Sequence, residues 1–269
     1  LLLLATLLIV VPVGLIVIII IQKGIGGISW QFLTDVPRKG MRAGGIFPAI
    51  VGTIYLVTGA IIFALPVGLL AAIYLSEYAK DNYLTRIIKL SIVNLAGVPS
   101  VVYGLFGLAI FVIFFGFGTS ILAGSLTLGI MILPVIITTS REALESVPYS
   151  FREASLSLGA SKWQTIRHIV LPNAIPGILT GTILGLGRAA GETAPILFTV
   201  AAFYLPLLPK SPFDQAMALP YHLYVISTQV PNVDEKIRYG TALVLLFLVL
   251  FMNLIAIIIR YQFRKQKKW

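Results

Sequence analysis

The chain has 269 residues, of which 58% are hydrophobic and 11% charged, with a mean hydropathy of +0.98. These values exclude an ordinary soluble domain and are typical of a protein that crosses a membrane several times. Without cysteine there is no disulfide or thiolate metal site, and the two histidines fall in separate loops, which argues against a histidine metal centre.

Six apolar runs are long enough to cross a bilayer, which takes about 20 residues. They lie at 1–21, 48–75, 99–117, 121–139, 174–204 and 241–259. A Gly-rich turn at 116–120 joins the third and fourth as a hairpin. We therefore predict an all-α membrane protein with one transmembrane domain over 1–269 and its core spans at about 48–260. Because the sequence begins inside an apolar run without Met, we also expect a short segment upstream.

The segment 83–95, between the second and third spans, surrounds Arg86 and Lys89 with apolar residues. This pattern predicts either a helix lying on the membrane surface or the first part of a longer third helix. Gly97 and Pro99 then predict a break in the helix.

A polar island at 141–172 separates the fourth and fifth spans, and we call it the coupling loop. Gly159 predicts a left-handed stop between two short helices, and Ser161 with Gln164 predicts a capping box that opens the second one. Pro172 is expected to end that helix.

The second helix of the coupling loop has an apolar stripe bordered by Lys162 and Arg167. The stripe consists of Trp163, Ile166, Ile169 and Val170. This pattern predicts a helix that docks in a groove of another protein, and the alternative is an amphipathic linker on the membrane surface.

The fifth span contains glycines at intervals of four, a spacing that allows close helix packing. The predicted packing positions are Gly177, Gly181, Gly185 and Gly191, with Gly187 beside them. The same span contains Arg188 and Glu192, the only charges deep in any apolar run.

Charges at that depth are costly unless they are paired or hydrated. A spacing of four places Arg188 and Glu192 on one helix face, and two interpretations remain open. One is a structural ion pair that fixes helix register. The other is a substrate path for an oxyanion, in which Arg188 binds, Glu192 compensates the charge of the empty path and Thr193 adds a hydroxyl donor.

The last loop, 205–239, is rich in proline, and part of it predicts a short helix on the outer face of the molecule. It is expected either to receive a binding protein or to plug the outer mouth. We interpret His222 in this loop as a surface residue.

Basic residues are distributed unequally between the two sets of loops, which predicts orientation. Twelve lie in the loop after the second span, the coupling loop and the tail: Lys80, Arg86, Lys89, Arg141, Arg152, Lys162, Arg167, Arg260, Arg264, Lys265, Lys267 and Lys268. Seven lie on the other side. We predict that the first side, with both termini, is cytoplasmic, and that the net charge of +10 reflects topology and contact with lipid headgroups rather than nucleic acid.

One pattern in the coupling loop resembles the EAA loop of binding-protein-dependent ABC importer permeases. It reads Glu153-Ala154-Ser155, three residues, Gly159, nine residues, Ile169, one residue, Leu171-Pro172. The segments 94–107 and 187–195 further resemble the phosphate permeases PstA and PstC, and PstA most closely.

The resemblance implies a type I ABC importer fold, in which the coupling loop contacts an ATPase subunit. The residues assigned to that contact are Tyr149, Arg152, Glu153, Ala154, Ser155, Gly159 and Ala160. It also implies a heterodimer with a PstC-like permease, an ATPase dimer that binds ATP and Mg, an extracytoplasmic phosphate-binding protein, and a bacterial or archaeal cytoplasmic membrane.

The sequence lacks a Gly-Lys dipeptide and therefore lacks the lysine-bearing phosphate loop of an ATPase. We thus expect a transport subunit without enzymatic activity or a cofactor of its own. The leading interpretation is a subunit of an ATP-driven phosphate importer. The alternatives are a permease for sulfate or molybdate, a membrane enzyme acting on lipid phosphates, and an ATP-independent channel or secondary transporter.

Overall fold

The computed structural model describes residues 2–265, with side chains for residues 6–263. Its helices are α1 (Leu2–Gly24), α2 (Trp30–Thr34), α3 (Phe47–Ile73), α4 (Tyr83–Ala96), α5 (Ser100–Gly107), α6 (Ile121–Glu145), α7 (Tyr149–Ser157), α8 (Lys162–Thr165), α9 (Leu171–Gly191), α10 (Ala194–Thr199), α11 (Leu219–Thr228) and α12 (Glu235–Lys265). A short antiparallel hairpin, β1 (Pro37–Arg38) and β2 (Ala43–Gly44), precedes α3. The side chains of Arg264, Lys265, Lys267 and Lys268, expected to contact lipid, lie outside the described residues.

Five helices in the described part of the chain are long and apolar enough to cross a membrane. They are Thr6–Gly27, Phe47–Tyr78, Ile121–Glu145, Lys162–Gly191 and Glu235–Phe263. A sixth crossing exists only if the pair Tyr83–Ala96 and Ser100–Phe114, which is bent by 102°, counts as one span. The break predicted at Gly97 and Pro99 is confirmed, whereas the reading of α4 as part of a continuous third helix is wrong. Pro99 lacks a backbone N–H and cannot continue the helix.

The fifth span differs from its predicted bounds at both ends. It begins at Lys162 and runs without interruption through Pro172, so the expectation that Pro172 ends the helix is wrong. A π turn at Ile166–Val170 explains this: the Leu171 N–H donates to the carbonyl of Ile166, five residues back, and the wider turn leaves room for the proline ring. At the other end the helix stops at Gly191, and 194–199 forms the separate helix α10.

The central helices approach closely at small residues. α3 and α6 run parallel, and the α-carbons of Gly59 and Gly68 lie against Ser125 and Ile136. A side chain at either glycine would collide with its neighbour, which is why glycine stands there.

The outer helices fix where the two ends of the chain lie. α12 is antiparallel to α9, since Arg260 Nη1 donates to Thr180 Oγ1 at 3.1 Å while Gly187 faces Asn253. α1 is antiparallel to α12, because Gly24 packs against Tyr239. Both ends of the described chain therefore lie at the same end of the bundle as the coupling loop.

The last loop folds into the opposite end of the bundle. The Leu219 N–H at the start of α11 donates to Thr53 Oγ1 of α3 at 2.8 Å, which satisfies a helix-terminal donor. α11 packs against α3 and α12, and His222 is only 3% exposed. The interpretation of His222 as a surface residue is therefore wrong, because the helix turns this face inward together with Tyr221 and Val225.

Candidate functional site

The coupling loop folds locally as its sequence predicts. Gly159 has φ +83, a left-handed conformation that favours glycine, and it ends the turn after α7. The capping box is confirmed: Ser161 Oγ accepts from the Gln164 N–H, and Gln164 Oε1 accepts from the Ser161 N–H.

α7 is the exposed part of the coupling loop. In the described structure none of its residues is fully buried, and Tyr149 is 68% exposed. Glu153 and Ala154 are exposed as well, and Leu158, just after the helix, is 89% exposed. This face is therefore available to another protein.

The apolar stripe predicted for docking on the second helix is largely internal, so that prediction is wrong. Ile166 and Val170 are buried in the chain's own core beside Leu144 and Val147, because the continuous helix Lys162–Gly191 presses them against the end of α6. Trp163 stays half exposed.

Three of the predicted coupling residues shape the corner between α7 and α8. Ser155 Oγ lies 2.9 Å from Thr165 Oγ1, and the Ser155 carbonyl accepts from the Ala160 N–H at 3.2 Å. Gly159 N–H donates to the carbonyl of Leu156 at 2.9 Å. Ser155, Gly159 and Ala160 therefore hold the two helices at a fixed angle.

Arg152 points inward, away from the exposed face of α7. Its Nη2 lies 2.7 Å from Glu77 Oε1, and its Nε donates to Glu77 Oε2 at 3.4 Å. Its guanidinium also donates to the carbonyls of Leu144 and Val147, at 2.9 and 2.6 Å. The side chains of Arg152 and Glu77 are 12% and 8% exposed, at the floor of a cleft of about 550 Å³. Sequence analysis did not identify Glu77, and a lone acid at the end of an apolar run is the only signal that marks it.

The two deep charges lie where the fifth span breaks, and we call Arg188, Glu192 and Thr193 the charged break. Arg188 Nε lies 3.5 Å from Glu192 Oε1, and the side chains are 31% and 19% exposed. Glu192 has extended backbone angles after the last helical residue, Gly191, and Thr193 precedes α10. Among the described residues Glu192 is the one hydrogen-bond partner of the Arg188 guanidinium.

The charged break packs against α5, which follows the other helix break. Gly104 of α5 lies against the Ala194 carbonyl and Pro195 at the start of α10. Tyr103 lies close enough to Arg188 for an electrostatic interaction, and its hydroxyl donates to the Leu95 carbonyl at 2.7 Å across the bend. The structure thus brings together the segments 94–107 and 187–195. Sequence analysis missed Tyr103, whose signal is a polar ring within a Gly-rich apolar segment.

The glycines of α9 differ in their surroundings. Gly177 and Gly181 lie directly against Ala143 and Thr139 of α6, and a side chain at either would overlap them. Gly185 has room for a methyl group in ordinary contact with Ile132, and Gly191 faces open space. Close approach of α6 thus depends on the first two.

Comparison with known proteins identifies the family. Residues 64–268 match the model of the binding-protein-dependent transport system inner membrane component. The chain is 36% identical over 251 residues to the probable ABC transporter permease protein YqgI of Bacillus subtilis, covering 88% of this chain and 85% of YqgI. It is 37% identical over 227 residues to the phosphate transport system permease protein PstA 1 of Mycobacterium tuberculosis, covering 84% and 73%. Identity to a probable PstA of Methanocaldococcus jannaschii is 34% over 250 residues, covering 92% and 87%.

Solved structures show the same architecture. A chain of the inward-facing MetNI methionine ABC transporter superposes with a TM-score of 0.62 at 18% identity, over 81% of this chain and 94% of that one. A chain of the bacterial alginate ABC transporter, in complex with its periplasmic protein, gives 0.64 at 17% identity, over 96% and 92%. The chain therefore belongs to the family of inner membrane components of binding-protein-dependent transport systems and has the fold of type I ABC importer permeases.

Proposed function

We propose that the chain is the membrane-spanning permease subunit of an ATP-driven importer of inorganic phosphate and forms half of the translocation path. The observation that supports phosphate as the substrate is the charged break. It places a guanidinium deep in a span, and the hydrogen bond of that group to Glu192 is long, at 3.5 Å. A guanidinium has five N–H donors, so most of them remain free for phosphate oxygens. Relatives named as phosphate permeases support the same substrate.

The partners follow from the exposed face of α7 and from the family. We propose that α7 contacts one subunit of an ATPase dimer that binds ATP and Mg, and that a PstC-like permease supplies the other half of the path as a heterodimer. An extracytoplasmic binding protein delivers phosphate at the end that contains α11. Closure of the ATPase dimer pushes the two coupling loops together and turns the path outward. The coupling loop and both termini are then cytoplasmic, and the basic tail contacts lipid headgroups.

A second candidate substrate is another oxyanion such as sulfate or molybdate, because an arginine fork binds any of them. Glu192 favours phosphate: at neutral pH phosphate still carries a proton that it can donate to a carboxylate, whereas sulfate and molybdate carry none. A carboxylate next to the anion therefore accepts a hydrogen bond from phosphate and repels the others.

The test uses the complete complex in proteoliposomes, with labelled phosphate uptake and phosphate-stimulated ATP hydrolysis as readouts. Arg188→Ala is expected to lower both about 100-fold, and Arg188→Lys about tenfold, because a lysine lacks the planar fork. Arg260→Lys, the same exchange elsewhere in the α9–α12 pair, is the control and should keep uptake within about twofold. Glu192→Gln should allow sulfate to compete with labelled phosphate for uptake.

Unchanged uptake in Arg188→Ala would contradict a role of Arg188 in the substrate path. It would favour the other interpretation, a structural ion pair that fixes helix register. Stronger competition by sulfate than by phosphate in the unmodified complex would favour the second candidate. Uptake without the ATPase subunit would instead favour an autonomous channel or a secondary transporter.

A further inference from the structure

α7 is attached to the bundle by few contacts of its own. It is separated from α6 by the extended residue Pro148, with φ −55 and ψ 136, and from α8 by the left-handed Gly159. In the described structure no α7 side chain is fully buried. The corner contacts of Ser155, Gly159 and Ala160 link α7 to the helix Lys162–Gly191, and none of them involves α3 or α6. Movement of α7 therefore reaches α3 only if another contact joins the two.

Arg152 supplies the attachment of α7 to the ends of the second span and of α6. Its guanidinium binds both carboxylate oxygens of Glu77, which lies in the π-helical end of the second span, Tyr74–Tyr78. The same group donates to the carbonyls of Leu144 and Val147 where α6 ends. A planar fork held at both ends has little freedom to reorient, so it fixes α7 against α3 and α6 together.

These contacts leave Arg152 unsuited to bind the ATPase subunit directly. Its side chain is 12% exposed, and each of its three guanidinium nitrogens donates at least one hydrogen bond within the chain. The exposed residues of α7 include Tyr149, Glu153 and Ala154. Partner contact and internal attachment are thus carried by different faces of one short helix.

We propose that Arg152 and Glu77 are positioning residues that transmit movement of α7 to α3. Movement of the ATPase subunit then displaces the second span instead of only bending the coupling loop. α3 passes it on because it packs in parallel against α6 at Gly59 and Gly68. This inference rests on the proposed function only in assuming a nucleotide-hydrolysing partner.

The first test measures coupling in the complete complex. Arg152→Met and Glu77→Met each remove one charge, and the double variant removes both without leaving a buried charge unpaired. Each single variant is expected to lower phosphate transported per ATP hydrolysed about tenfold, with basal hydrolysis and ATPase binding within about twofold. The double variant should be no worse than either single one. The control is Arg141→Met with Glu145→Met, which removes an exposed pair at the same end of the bundle and should change nothing.

The second test measures the attachment itself. Because the chain has no cysteine, spin labels can be placed at Ser157→Cys on α7 and Lys80→Cys just beyond α3. The distance between the labels should stay narrowly distributed with and without ATP in the parent complex and broaden in either single methionine variant.

Three outcomes would overturn the proposal. One is loss of ATPase binding in Arg152→Met but not in Glu77→Met, which indicates direct contact. Another is reduced thermal stability with unchanged transport per ATP, which indicates a structural pair. The third is a label-distance distribution in both methionine variants that is as narrow as in the parent complex. If the parent complex shows no stimulation by phosphate, the proposed substrate fails while the distance measurement, which needs only ATP, still decides the attachment.

Discussion

Arg152 and Arg188 are both half-buried or deeper, but they differ in how many hydrogen bonds their guanidinium groups make within the chain. Arg152 is enclosed by a carboxylate and by two backbone carbonyls, one in the last turn of α6 and one just after it, all between 2.6 and 3.4 Å. In the described part of the chain the guanidinium of Arg188 makes one hydrogen bond, to Glu192 at 3.5 Å, a length at which a hydrogen bond is weak. An arginine with most of its donors bonded within its own chain fixes structure, whereas one with free donors deep in a span can bind an anion.

At the residue scale, the buried imidazole of His222 is expected to make the stability of the folded protein depend on pH. Burial lowers its pKa from the ordinary 6.5 to about 4, and its Nδ1 has no hydrogen-bond partner in the described structure. Because the unfolded chain binds the proton more readily, this stability is complete above pH 6.5 and is lost as pH falls toward 4. Between pH 6.5 and pH 4 the free energy of unfolding is expected to fall by about 3 kcal/mol.

The measurement is the apparent melting temperature of the purified protein between pH 7 and 4. His222→Phe keeps a ring of similar size without a titratable nitrogen and should flatten the dependence by several degrees. His168→Phe, at an exposed position, is the matched control. Parallel pH curves for the parent chain and His222→Phe would show that the buried imidazole contributes nothing.

At the scale of elements, the close contact between α6 and α9 depends on glycines, which have no side chain to keep the helices apart. A methyl group at Gly181 would overlap Thr139, so we expect Gly181→Ala to destabilise the protein by about 1–3 kcal/mol through overpacking. Gly191→Ala on the same helix faces open space and should stay within about 0.5 kcal/mol. Thermal unfolding in one detergent compares the two. Because alanine favours a helix more than glycine at both positions, an equal loss in both variants would contradict overpacking at Gly181 as the cause.

Local features of the elements could be predicted from sequence because they depend on neighbours in the chain. The capping box at Ser161, the left-handed Gly159 and the break at Pro99 involve residues within a few positions of one another. Pro172 was misjudged for a related reason: whether a proline ends a helix depends on the hydrogen bonds before it, and a π turn changes them.

Pairings across distant elements could not be predicted in this way. Glu77 and Arg152 are 75 residues apart, and nothing near either one specifies the other. Likewise the burial of His222 depends on α11 folding back between α3 and α12, while an exposed outer helix has the same local pattern. Spacing placed Arg188 and Glu192 on one face, but only the fold packs α5 against the residues that follow them, with Gly104 against Ala194 and Pro195.

At the scale of the whole molecule, the described structure divides the basic residues of the loops between its two ends. The coupling loop and the turn after α3 share one end, since Arg152 binds Glu77. α12 ends there too, because beyond the contact of Arg260 with Thr180, midway along α9, it continues toward the start of α9. The opposite end contains α11 and the bend around Lys210. Basic loops are retained in the cytoplasm, so the proposed orientation places the coupling loop inside the cell.

A chain without cysteine allows this orientation to be tested with single substitutions. Ser157→Cys places a thiol on exposed α7 and Lys210→Cys places one on the exposed outer loop. A membrane-impermeant maleimide should label Lys210→Cys in intact cells and Ser157→Cys only after permeabilisation, because the bilayer's ~30 Å apolar core separates the two ends. The reverse pattern would place α7 outside the cell, where a cytoplasmic ATPase could not reach it. It would contradict both the proposed coupling role of α7 and the proposed role of Arg152.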